Sequence, residues 1–188
     1  GDVDLFISAK DIEEFKYRLN FLGFKQGFLD NGIIRPLSRT EIIFYSTTTH
    51  QLAPCIRQEN GIINKTITID VNFNIMWGES DFHLDLADFE DGIVQDNIFG
   101  SSIRKLCDIY EFITLCLHHY KDLNSIYLLY THGFKIKHLC DIYHFLINHP
   151  NITPQQLHET SQKYRVSDYI YCCILYTFCF FGDEYLQP

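Results

Sequence analysis

The spacing of apolar residues predicts strands in the first half of the chain and helices in the second half. Apolar and polar residues alternate from Thr66 to Trp77, which is typical of a strand with one buried face and one polar face. A shorter strand pattern opens the chain at Gly1–Ile7, and Glu41–Thr48 also indicates a strand. Apolar residues at helical spacing predict a helix from Ile12 to Leu22 that ends at Gly23.

The apolar period lengthens after about residue 100, where helical spacing replaces alternation. The predicted helices run from Ile103 to Tyr120, from Ile136 to Pro150, from the Thr153-Pro154 start, and from Ser167 to Gly182. Thr153 and Gln156 have the spacing of a capping box around the proline. We therefore predict an α+β protein, in which residues 1–100 form a small mixed sheet with a flanking helix and residues 101–188 form a C-terminal helical bundle.

Net charge, the longest apolar run and the cysteines limit which binding partners, cellular location and metal sites we expect. Lys and Arg total 15 and Asp and Glu total 24 among the 188 residues, so the net charge of −9 disfavours general binding to nucleic acid. The most apolar run, Tyr169–Phe181, is too short to span a membrane. The seven cysteines are odd in number and include no C-x-x-C pair, which predicts reduced thiols in a cytoplasmic protein and disfavours a structural zinc site.

The acidic residues of two predicted strands are the main candidates for chemistry. Asp2 and Asp4 are two positions apart and therefore share one strand face, while Asp70 lies on the polar face of another strand. If these strands are neighbours, the three carboxylates converge and repel one another unless cations lie between them. Magnesium is the natural cation, because it prefers oxygen ligands and phosphate-bearing substrates. The alternative is an ordinary solvated acidic strand edge.

Several short motifs, in order along the chain, resemble one enzyme family. The opening Gly1–Ile7 is similar to the G-D-[IV]-D signature of polymerase-β-like nucleotidyltransferases, and in particular to the bacterial group usually called uncharacterised nucleotidyltransferases. The further matching segments are the helix at 11–24, Thr49–Leu52, Ile69–Phe73, Cys116–His119 and Lys137–Ile142. Asn72 and Phe73 replace the family's usual His and Trp. The family's Gly-Ser motif lies upstream of the first strand, so we expect it and an edge of the sheet to be missing from a chain that begins at Gly1.

The resemblance implies two-metal transfer of a nucleoside monophosphate from a nucleoside triphosphate (NTP) to a hydroxyl group. By analogy, Asp2 and Asp4 bind the magnesium ion that carries the triphosphate, and Asp70 joins them at the second ion and acts as base on the acceptor. Pyrophosphate leaves. The implied acceptor is a small molecule, a sugar or a peptide natural product.

Further candidates for substrate binding are His50, Asn72, Lys137, Asp141 and His118. His50 is expected to contact the acceptor or a phosphate, and Lys137 to reach the triphosphate when the helical half packs on the open side of the sheet. Only one of His118 and His119 can face the site, because they point about a third of a turn apart. The structural alternatives are a loop histidine, a surface ion pair between Lys137 and Asp141, and a packed helix histidine.

Two other functions remain open from the sequence. One is a toxin-like nucleotidyltransferase that acts on RNA, against which the negative net charge weighs. The other is a catalytically silent domain that binds a nucleotide or a partner, which the expected lack of the Gly-Ser motif and the presence of Asn72 favour.

Overall fold

The structure is a computed structural model that describes residues 2–59, 65–78, 80, 82–124 and 135–182. The chain divides into two compact units, residues 1–88 and residues 89–188. The first unit contains a five-stranded sheet and the second contains a hairpin and a group of helices. The predicted α+β class is therefore confirmed.

The first unit is built on a mixed sheet. Its elements are β1 (Asp2–Phe6), α1 (Ile12–Phe21), β2 (Lys25–Asp30), β3 (Ile33–Pro36), α2 (Arg39–Thr47), β4 (Cys55–Glu59) and β5 (Lys65–Asn72). The strand order is β1-β5-β4-β2-β3, in which β1 runs parallel to β5 and the other neighbours are antiparallel. A 3-10 turn at Ala9–Asp11 also belongs to this unit, and a second 3-10 turn, Leu86–Gly92, contains the division between the two units.

The apolar core of the first unit lies between α1 and one face of the sheet. Leu19 of α1 and Val71 of β5 are buried there together with Phe24, Leu52 and Cys55. Gly23 follows α1 with a φ of +83°, which favours glycine and allows the chain to turn back into β2. Because strand side chains alternate, the polar positions of β5 lie on the face opposite to this core.

The prediction of a strand at Glu41–Thr48 is wrong, because this segment belongs to α2. Ser38 begins the helix with a capping box: its hydroxyl accepts a hydrogen bond from the Glu41 amide, and the Glu41 carboxylate accepts one from the Ser38 amide. Arg35 donates two hydrogen bonds to the same carboxylate, at 2.6 and 3.0 Å. The β-branched and aromatic residues favour a strand, but the capping signal decided the local structure.

The strand predicted from Thr66 to Trp77 is shorter than expected. β5 ends at Asn72, because the amides of Phe73 and Asn74 both donate to the carbonyl of His50 and leave the sheet pairing. The alternation continues into this turn without a partner strand to support it.

The second unit begins with a hairpin that the sequence analysis missed. Its elements are β6 (Ile93–Ile98), β7 (Ser101–Leu106), α3 (Asp108–Asn124), α4 (Ile136–Asn148), α5 (Pro154–Lys163) and α6 (Ser167–Phe181). Phe99 and Gly100 form the two-residue turn, both with positive φ, as hairpin turns require. The helix predicted from Ile103 therefore starts later, at Asp108, and Ile103 and Leu106 belong to β7.

The other predicted helices are confirmed, including the capping box between Thr153 and Gln156 and the end of α6 at Gly182. Helices α3, α4 and α6 pack on one another. The buried side chains of this core are Phe112, Ile113, Cys116, Leu117, Leu139, Ile142, Ile170 and Cys173. All seven cysteines lie among the described residues and are free thiols. No helix in the described parts of the chain is long and apolar enough to cross a membrane.

Candidate active site

Two of the three predicted catalytic carboxylates lie side by side. Parallel pairing of β1 with β5 places Asp4 opposite Asp70, with Val3 opposite Ile69 and Leu5 opposite Val71. Register partners on adjacent parallel strands are about 4.8 Å apart and project from the same face of the sheet. Since Ile69 and Val71 face the α1 core, the two aspartates lie on the opposite face.

The third predicted carboxylate lies two residues before Asp4 on the same strand. The backbone of Asp2 pairs with Thr68, one step along the same register, and its side chain is outside the described parts of the structure. β1 thus contributes alternate positions to the face that holds Asp70, as the sequence analysis expected for this strand.

The negative charge of Asp70 raises the pKa of side chains on two other elements, α2 and β4. Burial raises the pKa of the Tyr45 hydroxyl above its ordinary value, and the charges of Asp70 and then Glu41 raise this pKa further. Burial also raises the pKa of the Cys55 thiol to about 11, and the charge of Asp70 adds to the effect. Asp70 is half-buried whereas Asp4 is exposed. One carboxylate of the pair is therefore partly shielded from solvent, and the other is open to it.

The donor set of this pair fits a hard divalent cation. Adjacent carboxylates repel each other when both are ionised, and a bound cation relieves that repulsion. Magnesium is commonly held by one or two carboxylates together with the phosphates of a substrate. Among the described side chains, no group of three His, Cys, Asp or Glu residues is arranged to hold a metal by itself. A site built on Asp4 and Asp70 therefore needs Asp2 or substrate oxygens to complete it.

Asn72 and His50 meet at the end of β5. Asn72 pairs with Phe6, and its carbonyl accepts a hydrogen bond from the Ile7 amide at 2.9 Å. It lies two residues after Asp70 and hence on the same face of the strand. His50 is 5% exposed, and its ring packs edge-on against Trp77 with the ring centroids 5.1 Å apart. The structure therefore places Asn72 beside the carboxylates and His50 within the packed turn that follows β5.

The three remaining predicted residues belong to the second unit. His118 on α3 is 53% exposed, with its Nε2 atom 3.6 Å from Asp122 Oδ2. Lys137 is exposed on the first turn of α4. Asp141 Oδ2 on α4 lies 3.7 Å from Nε2 of His119 on α3, so Asp141 makes a polar contact between the two helices.

Two histidines that the sequence analysis did not select are the most buried of this group. The rings of His119 and His138 stack at a centroid distance of 4.2 Å and an interplanar angle of 15°. Burial lowers the pKa of His119 to about 3, and the positive charges nearby contribute to this shift. The i, i+3 spacing of the buried Cys116 and His119 was a signal for the inward position of this histidine.

The comparison with protein families covers both units. A family model described as an uncharacterised nucleotidyltransferase matches residues 1–182. The chain belongs to this family. Comparison with curated proteins and with solved structures finds no significant match. The enzyme class is therefore nucleotidyl transfer, with an NTP as the class of substrate.

The predicted site residues of the nucleotidyltransferase fall into two groups. In the first unit, Asp4, Asp70 and Asn72 lie on one face of β1 and β5, and the backbone of Asp2 precedes them. In the second unit, α3 and α4 hold the other group: His118, Lys137 and Asp141. Each group is described within its own unit.

Proposed function

We propose that this nucleotidyltransferase moves a nucleoside monophosphate from an NTP to a hydroxyl group of a small molecule, a sugar or a peptide natural product, with two magnesium ions at Asp2, Asp4 and Asp70. The observation that carries the proposal is the register pairing of Asp4 with Asp70 on the polar face of the sheet. Two adjacent carboxylates on a face away from the core suit a role with cations better than a role in stability.

The aspartates have separate roles in the proposed reaction. Asp2 and Asp4 hold the magnesium that accompanies the triphosphate, and Asp70 joins them at the second ion. These ions supply charge stabilisation for the attacking and leaving oxygens of an in-line displacement. Asp70 accepts the proton of the acceptor hydroxyl while the acceptor's oxygen forms a bond to the α-phosphorus. The bond from the α-phosphorus to the bridging oxygen breaks, and pyrophosphate leaves.

The other residues bind substrate. Asn72 lies next to Asp70 on the strand face, where its amide can donate to or accept from the acceptor. His50 lies in the turn beside Asn72 and helps to position this end of the strand. Lys137 contributes positive charge and His118 contributes a hydrogen bond to the triphosphate, and Asp141 positions the histidines of α3. The net charge of −9 supports an acceptor other than nucleic acid.

Pyrophosphate release tests the proposal directly. The full-length protein is incubated with magnesium, each of the four NTPs in turn and a panel of hydroxyl-bearing small molecules and peptides. Acceptor-dependent pyrophosphate release that stops on addition of EDTA is the expected result. Transfer of radiolabel from the NTP to RNA would favour the toxin-like alternative. Nucleotide binding without any turnover across the panel would favour a silent binding domain.

A further inference from the structure

Helices α3 and α4 enclose a group of polar side chains, of which the proposed function uses only His118, Lys137 and Asp141. We call this group the α3–α4 polar cluster, and it consists of His118, His119, Lys121, Asp122, Lys137, His138 and Asp141. All of its members belong to the second unit, and the helices that carry them pack together. The cluster contains both buried members and members that reach solvent.

The buried members leave polar atoms unsatisfied. His119 is 5% exposed and His138 is 8% exposed. Among the described residues, three ring atoms have no hydrogen-bond partner: Nδ1 of His138 and both nitrogens of His119, of which Nε2 lies 3.7 Å from Asp141 Oδ2, beyond hydrogen-bond distance. Buried polar atoms without partners cost free energy and are rare in folded proteins. Three such atoms on two stacked rings point to a ligand that supplies the missing partners.

A buried ammonium group lies at the same place. Lys121 is 3% exposed, and its Nζ atom is 3.3 Å from Nδ1 of His118. Lysine is seldom buried to this degree, and its ammonium places a positive charge beside the histidines of α3. Two exposed members, Lys137 and the half-exposed His118, provide the side of the cluster from which a ligand can enter.

The charge balance of the cluster favours an anion. Lys121 and Lys137 both depress the pKa of His119, behind the larger effect of burial, so the imidazole lies in a positive local potential. Asp122 and Asp141 offset part of this charge. A neutral imidazole carries one N–H donor, and a bound anion favours the protonated ring, which carries two.

A metal ion fits the cluster less well. The rings of His119 and His138 are nearly parallel, so the lone pairs in their planes do not converge on one point. The buried ammonium of Lys121 repels a cation at short range. The described residues also contain no three His, Cys, Asp or Glu side chains placed to hold a metal.

We propose that the α3–α4 polar cluster binds a phosphate oxyanion. His119 and His138 donate ring N–H groups to the phosphate oxygens, and Lys121 and Lys137 neutralise its charge. The oxyanion belongs either to the polyphosphate of the NTP or to a phosphorylated acceptor. The assignment to a substrate of the transfer reaction rests on the proposed function, whereas the anion site itself does not.

Inorganic pyrophosphate is the probe for this site. Binding to the full-length protein is measured by titration calorimetry with EDTA present, so that pyrophosphate is not held through metal at the aspartates. The unsubstituted protein is expected to bind. Lys121→Met and His119→Phe each weaken binding by at least about tenfold, since each removes a hydrogen bond or charge contact to an ionised ligand. The matched controls are Lys105→Met, at a partly exposed lysine of β7, and His144→Phe, at an exposed histidine of α4; both should leave binding unchanged.

Competition identifies the source of the phosphate. Displacement of pyrophosphate by ATP assigns the site to the nucleotide, and displacement by glycerol 3-phosphate but not by ATP assigns it to a phosphorylated acceptor. Lack of pyrophosphate binding by the unsubstituted protein overturns the proposal, as does equal weakening in the control variants. Binding of zinc chloride that is lost in His119→Phe, with no binding of pyrophosphate, overturns it in favour of a metal site.

Two further measurements test whether the cluster binds pyrophosphate directly or only stabilises the fold. The ring nitrogen chemical shifts of His119 and His138 in the unsubstituted protein should move on addition of pyrophosphate, and unchanged shifts overturn the proposal even if the variants fail to fold. Asp4→Asn should retain pyrophosphate binding in EDTA. A protein that binds pyrophosphate at the cluster but never turns over an NTP therefore refutes the proposed function and leaves the anion site standing.

Discussion

Asp4 on β1 is the register partner of Asp70 on β5, although most of the first unit separates them along the chain. Their neighbours Ile69 and Val71 face the apolar core, so the two carboxylates lie on the face of the sheet that α1 does not cover. Like charges this close destabilise the folded chain unless a cation is bound. Activity and stability should therefore respond in opposite directions when one charge is removed.

Asp4→Asn and Asp70→Asn are expected to lower turnover by at least about 100-fold, because each removes a group that supports charge stabilisation in the transition state. The melting temperature without magnesium should stay the same or rise, because one of two repelling charges is lost. Pyrophosphate release and thermal denaturation of the full-length variants check the two effects.

Asp30→Asn is the matched control for these variants, because Asp30 is an exposed aspartate at the end of β2 in the same sheet. It should retain full activity. Near-normal turnover in Asp4→Asn would show that the carboxylate pair has no role in catalysis.

Lys137→Ala should raise the KM for the NTP several-fold while changing kcat little, because an exposed cation that binds the triphosphate acts in the ground state and the transition state alike. Stability should change by less than about 1 kcal/mol, as for other exposed charges. Steady-state kinetics against NTP concentration measure the effect. Lys105→Ala, at a partly exposed lysine on β7, is the control, and an unchanged KM in Lys137→Ala would remove this residue from the site.

Because His119 is buried, we expect the stability of the folded protein to decrease as the pH falls. Its pKa in the folded protein is about 3, below the ordinary value of 6.5, because burial disfavours the charged ring. Above pH 6.5 the ring is neutral in both states. Between pH 6.5 and 3 the unfolded chain takes up the proton first, so stability falls by up to about 1.4 kcal/mol per pH unit.

His119→Phe should remove this contribution, so that the free energy of unfolding depends less steeply on pH in the same range. Urea denaturation at a series of pH values in buffers without phosphate measures the slope. His158→Phe, which alters an exposed histidine of α5, should keep the original slope. Equal slopes for the unsubstituted protein and His119→Phe would contradict a neutral, buried ring.

Ser38→Ala should lower the free energy of unfolding by about 0.5–2 kcal/mol, because it removes the hydroxyl that caps α2. The Glu41 carboxylate would still accept hydrogen bonds from Arg35 and from the backbone amide of residue 38, so only the bond from the Glu41 amide to the hydroxyl is lost. Ser46→Ala is the control, since Ser46 lies in the same helix and its hydroxyl donates to the carbonyl of Ile43. Similar urea midpoints for the two variants would show that the capping box does not hold α2 in place.

The elements that could be predicted from the sequence are those with a local signal. The apolar stripe and Gly23 were sufficient for α1, and the capping box at Thr153 was sufficient for α5. Alternation along β5 placed Asp70 on a polar face, because side-chain direction in a strand follows from the backbone alone. The same reasoning failed at α2, where the strand prediction rested on β-branched and aromatic residues and did not consider the capping residue Ser38.

The sequence by itself determined which residues share a strand or helix face, because that depends on repeats of two or about 3.6 residues within one segment. Only the tertiary structure decided that Asp4 pairs with Asp70 and that His119 stacks on His138. Both relationships join distant segments, and a shift of one residue in the pairing of β1 with β5 would move Asp4 to the other face. Such a register is set by the packing of Ile69 and Val71 against α1, which no local pattern contains.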